Sequence, residues 1–556
     1  MFPFHNMQAT SHQSDERNGS VKIEAEAWDL VSALFTNVPA EETIESIEEE
    51  ILADSMARMA SMQRRASLSC WLKDRTFSAV KRKLEELPSD KEYDMDRILT
   101  CLSGHELSSA ALCASSMGNV RLATLISAAG YTPLGMEHVQ KQQDIWEKAG
   151  YDPFIDEQLM EVYNLLSGNV DAVVGIADND WKRAFGLYLW YGTPKDSPIH
   201  TALYSFVSAA NKGQAPKPIP WHVKKVSEGD NISDVCFELI RIFCCTEDWD
   251  LLSEKMEATL PILPDLLCPL GTTPDILDCS FLWHLCSVLQ SIDVFPQSLS
   301  GEYSDAVQRI TTSYIAQIES MENLVHWAVY VALHIADDDL RAKTVKDLLA
   351  RYCDEWREDE ALVGFLLGDL GIPQVWLEEA KIIWAESHGD NEMLLEALID
   401  SQQWQKAHDL LLSSIGPHWL LGKPTQFQDD KLRFVLLNAL QDLESHQDEI
   451  LAESWRIGGQ LYLLYLNIKL GLIANGPDSA EILQEIAASL DRAFLSLTGK
   501  DSEQAAFQRA AYANIAQDIL EWSKSFGLDM PGKRALRYSA VSSYIQTAAA
   551  SLGPSI

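Results

Sequence analysis

Positive charge is scarce in this chain: 44 Lys and Arg stand against 82 Asp and Glu, a formal net charge of −38. That excess of anions opposes phosphate backbones and anionic lipid head groups, so direct binding to nucleic acid or to a membrane surface is not expected. The local exception, Lys533, Arg534 and Arg537, is small and reads as solvated surface. Paired cysteines are lacking too. None of the 10 cysteines forms a Cys-x-x-Cys pair, and Cys268, Cys279 and Cys286 with His284 lack the spacing that sets four ligands around one zinc. They read as small buried hydrophobes of a reducing compartment. No charged-then-apolar signal opens the chain, and the most apolar stretch, 457–474, is interrupted by Gln460, Asn467 and Lys469, so a membrane span is not expected. A soluble intracellular protein follows as the expectation, one in which the sequon Asn231-Ile232-Ser233 never meets the glycosylation machinery.

Catalytic signatures are missing as well. There is no Walker-type phosphate loop, dinucleotide glycine fingerprint, His-Glu-x-x-His zinc helix or nucleophile elbow, which weakens every enzyme reading and leaves no catalytic, cofactor or metal residue to name. Ser78-Ala79-Val80-Lys81 matches a Ser-x-x-Lys pattern, but its partner motifs are absent. His326 and His334 bracket the apolar run Trp327 to Leu333 about two helical turns apart, too far for one metal, and read as core or boundary histidines. Arg64-Arg65-Ala66-Ser67 resembles a basophilic kinase site, where a phosphate could disturb a helix near Trp71.

What is present is a large apolar core. With 556 residues, 47% of them hydrophobic, and 16 Trp, the chain exceeds the size at which one compact core keeps growing. The tryptophans run from Trp28 to Trp522 without a long bare stretch, so packing extends along nearly the whole length. Residues 1–20 are polar, lack a periodic apolar face and read as a flexible leader. From Glu41 an acidic run carries Ile44, Ile47, Ile51 and Leu52 at helical spacing, extended by Met56, Met59 and Met62, so its charges read as the solvated face of a helix. Further on, Met95, Ile98, Leu99 and Leu102 form one stripe, Ser103-Gly104 breaks it, and Leu107, Ala110, Ala111 and Ala114 start another. Gly118-Asn119 then precedes Leu122, Leu125 and Ile126.

These are short antiparallel helices whose connecting glycines supply the left-handed backbone that ends a helix, and the same device recurs at Ser167-Gly168 and around Gly389. Helix pairs without a strict period, with strand signals almost absent, predict an all-α, irregular α-helical solenoid. Pro-rich breaks at 215–221 and 261–274 read as loops dividing the stack. The densest segment is Asp180 to Tyr191, with two Trp and two Tyr. Asp180 sits where an N-cap carboxylate starts a helix, and Trp181, Phe185, Tyr188 and Leu189 fall on one apolar face.

Spaced patterns in one order carry a family resemblance. They are Trp28-Asp29-Leu30 with Ala33-Leu34-Phe35; Arg64-Arg65 with Leu68-Ser69 and Trp71-Leu72; Leu102-Ser103-Gly104; Gly118 to Ala123; the Asp180 string; Asp234 to Phe237; Leu282 to Leu285; Leu333-His334-Ile335; Ile372-Pro373 with Trp376; Trp404 with His408; and Trp455 with Gly459, Tyr462 and Tyr465. Together they resemble the nucleoporin 96 family, nucleoporin 145C in fungi, a scaffold subunit of the Y-shaped nuclear pore coat. The resemblance implies a helical domain folded back on itself, of the ancestral coatomer element type shared with COPII coats. On this chain it implies trunk entry over 21–94, a crown over 95–275, returning trunk helices over 276–386 and a helical tail over 387–556.

It also implies a non-enzymatic architectural role at the nuclear envelope, supporting mRNA export and nucleocytoplasmic transport. The implied partners are other Y-complex nucleoporins, the 107-kilodalton partner at the crown and the 85- and 160-kilodalton partners at the tail, with the membrane reached only indirectly. Ile98, Leu102, Val120 and Leu125 are the candidate crown contacts. The family's upstream strand segment, which completes a small β-propeller shared with COPII, is not found before Val21, and this puts propeller binding by blade donation in doubt. The precursor's repeat region and self-cleaving domain are likewise not found, which suggests a separate gene product or an incomplete gene model. The alternatives are a COPII-type vesicle-coat scaffold, although the proline-rich extension and propeller of that class are not found, and an enzyme with an unrecognised site.

Overall fold

The computed structural model describes residues 11–35, 47–88, 90, 93–129, 133–151, 154–223, 232–246, 263–294, 302–421, 426–469, 477–497, 502–525, 534, 536–542 and 545. Ile44, Asn231, Pro261 and Lys533 lie outside them. Among the described residues every regular element is helical, as the alternation of apolar stripes and glycine breaks predicts, and successive helices pack in pairs as an irregular α-solenoid. The chain forms two compact units, Met1–Gln317 and Ile318–Ile556. The division does not fall at either Pro-rich break.

The first unit opens with α1 (Ser11–Phe35) and α2 (Ile47–Glu86). Helix therefore begins ten residues before Val21, within the stretch expected to be a flexible leader. The physical reason is propagation: once the apolar face beyond Val21 nucleates a helix, adding polar residues ahead of it costs little. Gly19 lies so close to the Trp221 ring that a Cβ there would sit 2.4 Å from it. Next come α3 (Asp94–Ser103), α4 (Leu107–Ser116), α5 (Val120–Ala128), α6 (Pro133–Ala149) and α7 (Glu157–Leu166), each packing on a neighbour. The chain then returns through α8 (Trp181–Leu187), which continues as a π-turn over Tyr188–Gly192, and through α9 (Ile199–Asn211), α10 (Val235–Thr246), α11 (Ser280–Ser291) and α12 (Glu302–Glu319). Within this unit α2 packs on α8 and α1 on α10, with edge-on contacts of Phe35 with Phe243 and Trp28 with Phe281. The first two helices are thus tied to the later ones.

Two of the glycine breaks behave as their sequences suggest: Gly118 and Gly168 take φ of 82° and 88°, inside the left-handed region that a side chain disfavours. At Ser103-Gly104 the left-handed residue is instead His105, with φ 58°. Gly104 serves close approach, since a Cβ there would meet Val80 Cγ2 at 2.8 Å. His105 offsets its backbone cost by stacking on Trp190, with centroids 5.0 Å apart.

The second unit contains α13 (Val325–Ala332), α14 (Asp338–Arg351), α15 (Gln374–His388) and α16 (Asn391–Asp400) as successive packed neighbours. It continues through α17 (Trp404–Leu410), α18 (Gly416–Leu421), α19 (Gln426–Ser445), α20 (Gly459–Lys469), α21 (Pro477–Ser496) and α22 (Glu503–Ser525). Its core gathers Trp404, Leu411, Trp455, Tyr462, Tyr465 and Ile515. Gly389 ends α15 in the left-handed conformation, φ 68°. His408 is fully buried, and its Nε2 accepts the Gly459 backbone N–H at 3.2 Å.

One carboxyl couples the first unit to pH. Glu24 on α1 is pushed up to about 7 by burial and then by the nearby Asp278 charge. The folded protein therefore holds this proton where an unfolded Glu, at 4.5, has lost it, so stability falls as pH rises from about 4.5 through 7. Glu24→Gln is expected to stabilise the protein at pH 8 by about 1–2 kcal/mol after solvent screening and to gain nothing at pH 4.5. Urea unfolding at the two pH values measures it, and an equal gain at both would exclude the proton linkage.

Candidate partner-binding surface

The Asp180 segment builds a joint among α2, α3 and α9. The Asp180 carboxylate accepts the backbone N–H groups of Lys182 and Arg183 at 2.9 and 3.3 Å, the N-cap its position predicts. Trp181, Phe185, Tyr188 and Leu189 are all buried, but so are Arg183 and Gly186. The helix has no solvated side, because α2, α3 and α9 enclose it. A Cβ on Gly186 would lie 2.5 Å from the Trp190 ring.

A helix buried all round needs partners for its polar atoms, and α1, α2 and α3 supply them. Lys182 Nζ lies 2.5 Å from Glu26 Oε2, while the Glu26 carbonyl accepts Trp71 Nε1–H at 3.0 Å. Burial by itself would lower the Lys182 ammonium, but Cys236, Asp234 and Glu26 around it outweigh that and hold it above its usual range. Arg183 donates to Ser103 Oγ and to the Ile176 carbonyl. The π-turn frees the Leu189 carbonyl from ordinary helix bonding, and Arg65 reaches across from α2 to donate to it at 2.5 Å and to Thr193 Oγ1 at 2.8 Å. Tyr191 Oη donates to the Leu102 carbonyl at 3.0 Å. His105, pushed down to about 3 by burial and then by Lys73 and Lys195, stays neutral in the wall of this joint.

These contacts answer two motif readings. Arg65, a recognition cation of the Arg-Arg-Ala-Ser pattern, is buried and engaged, so a kinase cannot read the motif in the folded chain. Ser78 and Lys81 are exposed on α2, with Lys81 facing Glu85 at 4.0 Å. Among the described residues no group of three or more His, Cys, Asp or Glu is placed to hold a metal, and no helix is long and apolar enough to cross a membrane. One cleft of about 300 Å³ lies between α9 and α10, with Phe206, Ile219, Phe237 and Asp265 among its lining residues. Of its two carboxylates, Glu238 is raised chiefly by burial and is held 2.7 Å from Arg241 one turn along the same helix, and Asp265 lies 3.5 Å from the same Arg241. A carboxylate spent on a local ion pair has the arrangement of a structural pair.

The four candidate contact residues separate. Ile98 and Leu102 are fully buried, because α3 is covered by α2, α4, α7 and α8. They are core residues and offer a partner nothing, which corrects the expectation for both. Leu125 is half-buried, and Val120 is 68% exposed at the start of α5. Beside it in the α4–α5 hairpin, Met117 is exposed and Leu112 is 73% exposed. Leu112 carries no periodicity signal of its own, since its helix buries Ala110 and Ala114 instead. Ile145, Tyr151 and Phe154 are exposed in the following α6–α7 hairpin, and Arg121 ties α5 to α6 through Gln142 at 2.9 Å. These exposed apolar side chains thus lie on hairpins that follow one another in the chain. In the second unit, Leu536 and Ala540 are buried in the core while Tyr538, Val541 and Ile545 are exposed, a two-faced arrangement near the C-terminus, and Arg534 and Arg537 there are exposed.

Comparison with known proteins gives a family model, Nuclear protein 96, matching residues 96–384. The chain is 27% identical over 518 residues to the Nuclear pore complex protein NUP96 of Arabidopsis thaliana, covering 89% of this chain and 47% of that protein. It is 26% identical over 458 residues to the Nuclear pore complex protein Nup98-Nup96 of Dictyostelium discoideum, covering 79% and 21%. It is 27% identical over 470 residues to Nucleoporin nup189 of Schizosaccharomyces pombe, covering 80% and 24%. The chain thus spans about half the length of the first of these relatives and a quarter or less of the other two.

Proposed function

From the premise that this chain belongs to the nuclear protein 96 family, we propose that it is a scaffold nucleoporin of the nuclear pore complex, a non-enzymatic protein of the nuclear envelope that works by static binding. It joins other helical nucleoporins to build the membrane-curving Y-shaped coat. It supports mRNA export and nucleocytoplasmic transport by holding that architecture, and it meets the membrane only through its partners.

The observation that carries the reading is the exposed apolar surface of the α4–α5 hairpin, with Leu112 and Val120 at its centre, inside the stretch that matches the family. In the module scheme this hairpin belongs to the crown, 95–275, where the 107-kilodalton partner docks, with Val120 and Leu125 as the candidate contacts that reach the surface. The return of α11 onto Trp28 of α1 supports placing the first-unit part of the returning trunk, 276–386 in the module scheme, with the trunk entry, 21–94. The exposed Tyr538, Val541 and Ile545 support a tail, 387–556, that receives the 85- and 160-kilodalton partners. Stable contacts need roughly 1,200–2,000 Å² of buried area, which hairpin surfaces supply without a deep pocket.

Affinity capture of the tagged full chain from nuclear-envelope extract, with mass spectrometry of what is retained at moderate salt, tests this. Recovery of the other Y-complex helical nucleoporins is the expected result, and the same experiment reads out whether the small β-propeller is retained. Recovery of vesicle-coat proteins alone would overturn the assignment.

A further inference from the structure

The turn between the π-turn and α9 carries a modification motif. Ser197-Pro198 is one of four Ser/Thr-Pro steps in the chain, with Thr132-Pro133, Thr193-Pro194 and Thr273-Pro274, and a proline directly after the hydroxyl residue is what a proline-directed Ser/Thr kinase reads. Burial separates these steps. Thr193 and Thr273 are 5% and 7% exposed, and Thr132 lies outside the described residues. Ser197 is half-buried on a turn whose Pro194, Lys195 and Asp196 are exposed, and its hydroxyl donates to the Pro194 carbonyl at 2.5 Å on the solvent side. Pro198 is the N-cap of α9 with an extended backbone, ψ 158°, so the step stands ahead of the helix and not inside it.

The Ser197 hydroxyl is met by cations. Arg65 Nη1 donates to the Ser197 carbonyl at 2.8 Å and lies 3.4 Å from Ser197 Oγ, whereas Nη2 is the nitrogen that holds Leu189 and Thr193 of the π-turn. The guanidinium thus faces the two segments with different atoms. Lys195 and, from α2, Lys73 complete the group: the Lys195 ammonium is held below its usual range by burial and then by the Lys73 and Arg65 charges. Three cations therefore crowd one turn in a chain whose net charge is −38. The carboxylates next to them in sequence, Asp74 and Asp196, are exposed. Helix α9 begins two residues after Ser197 without a side-chain cap, and a helix N-terminus favours an anion.

We propose that Ser197 is a phosphorylation site for a proline-directed Ser/Thr kinase, and that Arg65 Nη1, Lys195 and Lys73 receive the phosphate and tighten the link from α2 to the turn before α9. The kinase moves the γ-phosphoryl group of ATP to Ser197 Oγ: the bond from that oxygen to phosphorus forms as the bond to the ADP leaving group breaks, and the hydroxyl proton passes to the kinase's catalytic carboxylate. Ser197 loses its bond to Pro194, and the phosphate gains charge-assisted bonds to the cations in exchange. Because the phosphate engages Nη1, the Nη2 bonds to the π-turn are kept. The modification therefore reinforces this packing instead of opening it. The inference does not rest on the family reading.

Treating the purified full chain with a cyclin-dependent or mitogen-activated kinase and ATP tests it, with fragment mass spectrometry to place the phosphate. The expected result is a phosphate on Ser197, with Thr193 and Thr273 unmodified, that is lost in Ser197→Ala. In the phosphorylated chain, amide hydrogen exchange over 189–201 is expected to slow by about tenfold, with a higher melting temperature. Lys73→Gln/Lys195→Gln, which keeps the Ser-Pro step, is expected to lose that slowing. A folded chain left unmodified at Ser197 overturns the proposal. If a peptide spanning 190–202 is modified by the same kinase, the fold hides the site, and if it is not, the motif is no substrate. A phosphorylated chain whose exchange over 189–201 is unchanged or faster overturns the receiving role of the cations, and slowing that survives loss of both lysines overturns the part assigned to them.

Discussion

Lys182→Ala is expected to destabilise the first unit by about 3–5 kcal/mol, the cost of stranding buried charge by removing one member of a buried pair. The ammonium is 12% exposed and Glu26, its partner at 2.5 Å, 5%, and the rings of Trp71 and Trp181 lie 5.6 Å from it. Removing the lysine leaves Glu26 and the buried Asp234 without the cation whose charge both feel. The pair contributes through its completeness more than through net attraction, so Lys182→Met/Glu26→Gln is expected to recover most of the loss. Urea denaturation followed by tryptophan fluorescence reports both. A loss below about 1 kcal/mol for the single variant would mean that the ion pair behaves as a surface bridge and that α1 is not anchored through it.

Leu112→Glu combined with Val120→Glu is expected to abolish capture of the crown partner, a loss of at least a hundredfold in affinity, while leaving the melting temperature within about 2 °C. Both side chains face solvent in the single chain, so charge there costs the fold little, whereas an unpaired carboxylate driven into an interface costs several kcal/mol. The contrast with Leu102→Glu makes the experiment specific. Leu102 is fully buried beneath Tyr191, whose hydroxyl bonds its carbonyl, and a charge there is expected to unfold the helix pair. Lost binding in that variant would reflect lost structure. Measured side by side by calorimetric titration and thermal melting, the two variants separate contact from support, and unchanged binding by the Leu112/Val120 variant would remove this hairpin from the partner surface.

Much of the fold was legible in the sequence because helical periodicity and capping act locally. The stripe from Met95 to Leu102, the breaks at Gly118 and Gly168, and the Asp180 cap each depend on residues within a few positions of one another, and each appears in the structure where its sequence predicts. The candidate surface was legible only in part. Ile98 and Val120 both lie on apolar positions of short helices, yet one is fully buried and the other is 68% exposed. Leu112, more exposed than either, gave no signal at all.

By itself the amino-acid sequence determined that this protein is helical, where several of its helices begin or end, and which residues share a helical face, since those properties follow from spacing along one chain. Tertiary structure decided which faces are covered: that α8 is enclosed on every side, that Arg65 is spent on a π-turn carbonyl from a segment more than a hundred residues away, that His105 and not Gly104 takes the left-handed turn, and that the methionine stripe of α2 meets solvent. Spacing tells which side chains point the same way, and only the arrival of distant helices determines what, if anything, they meet.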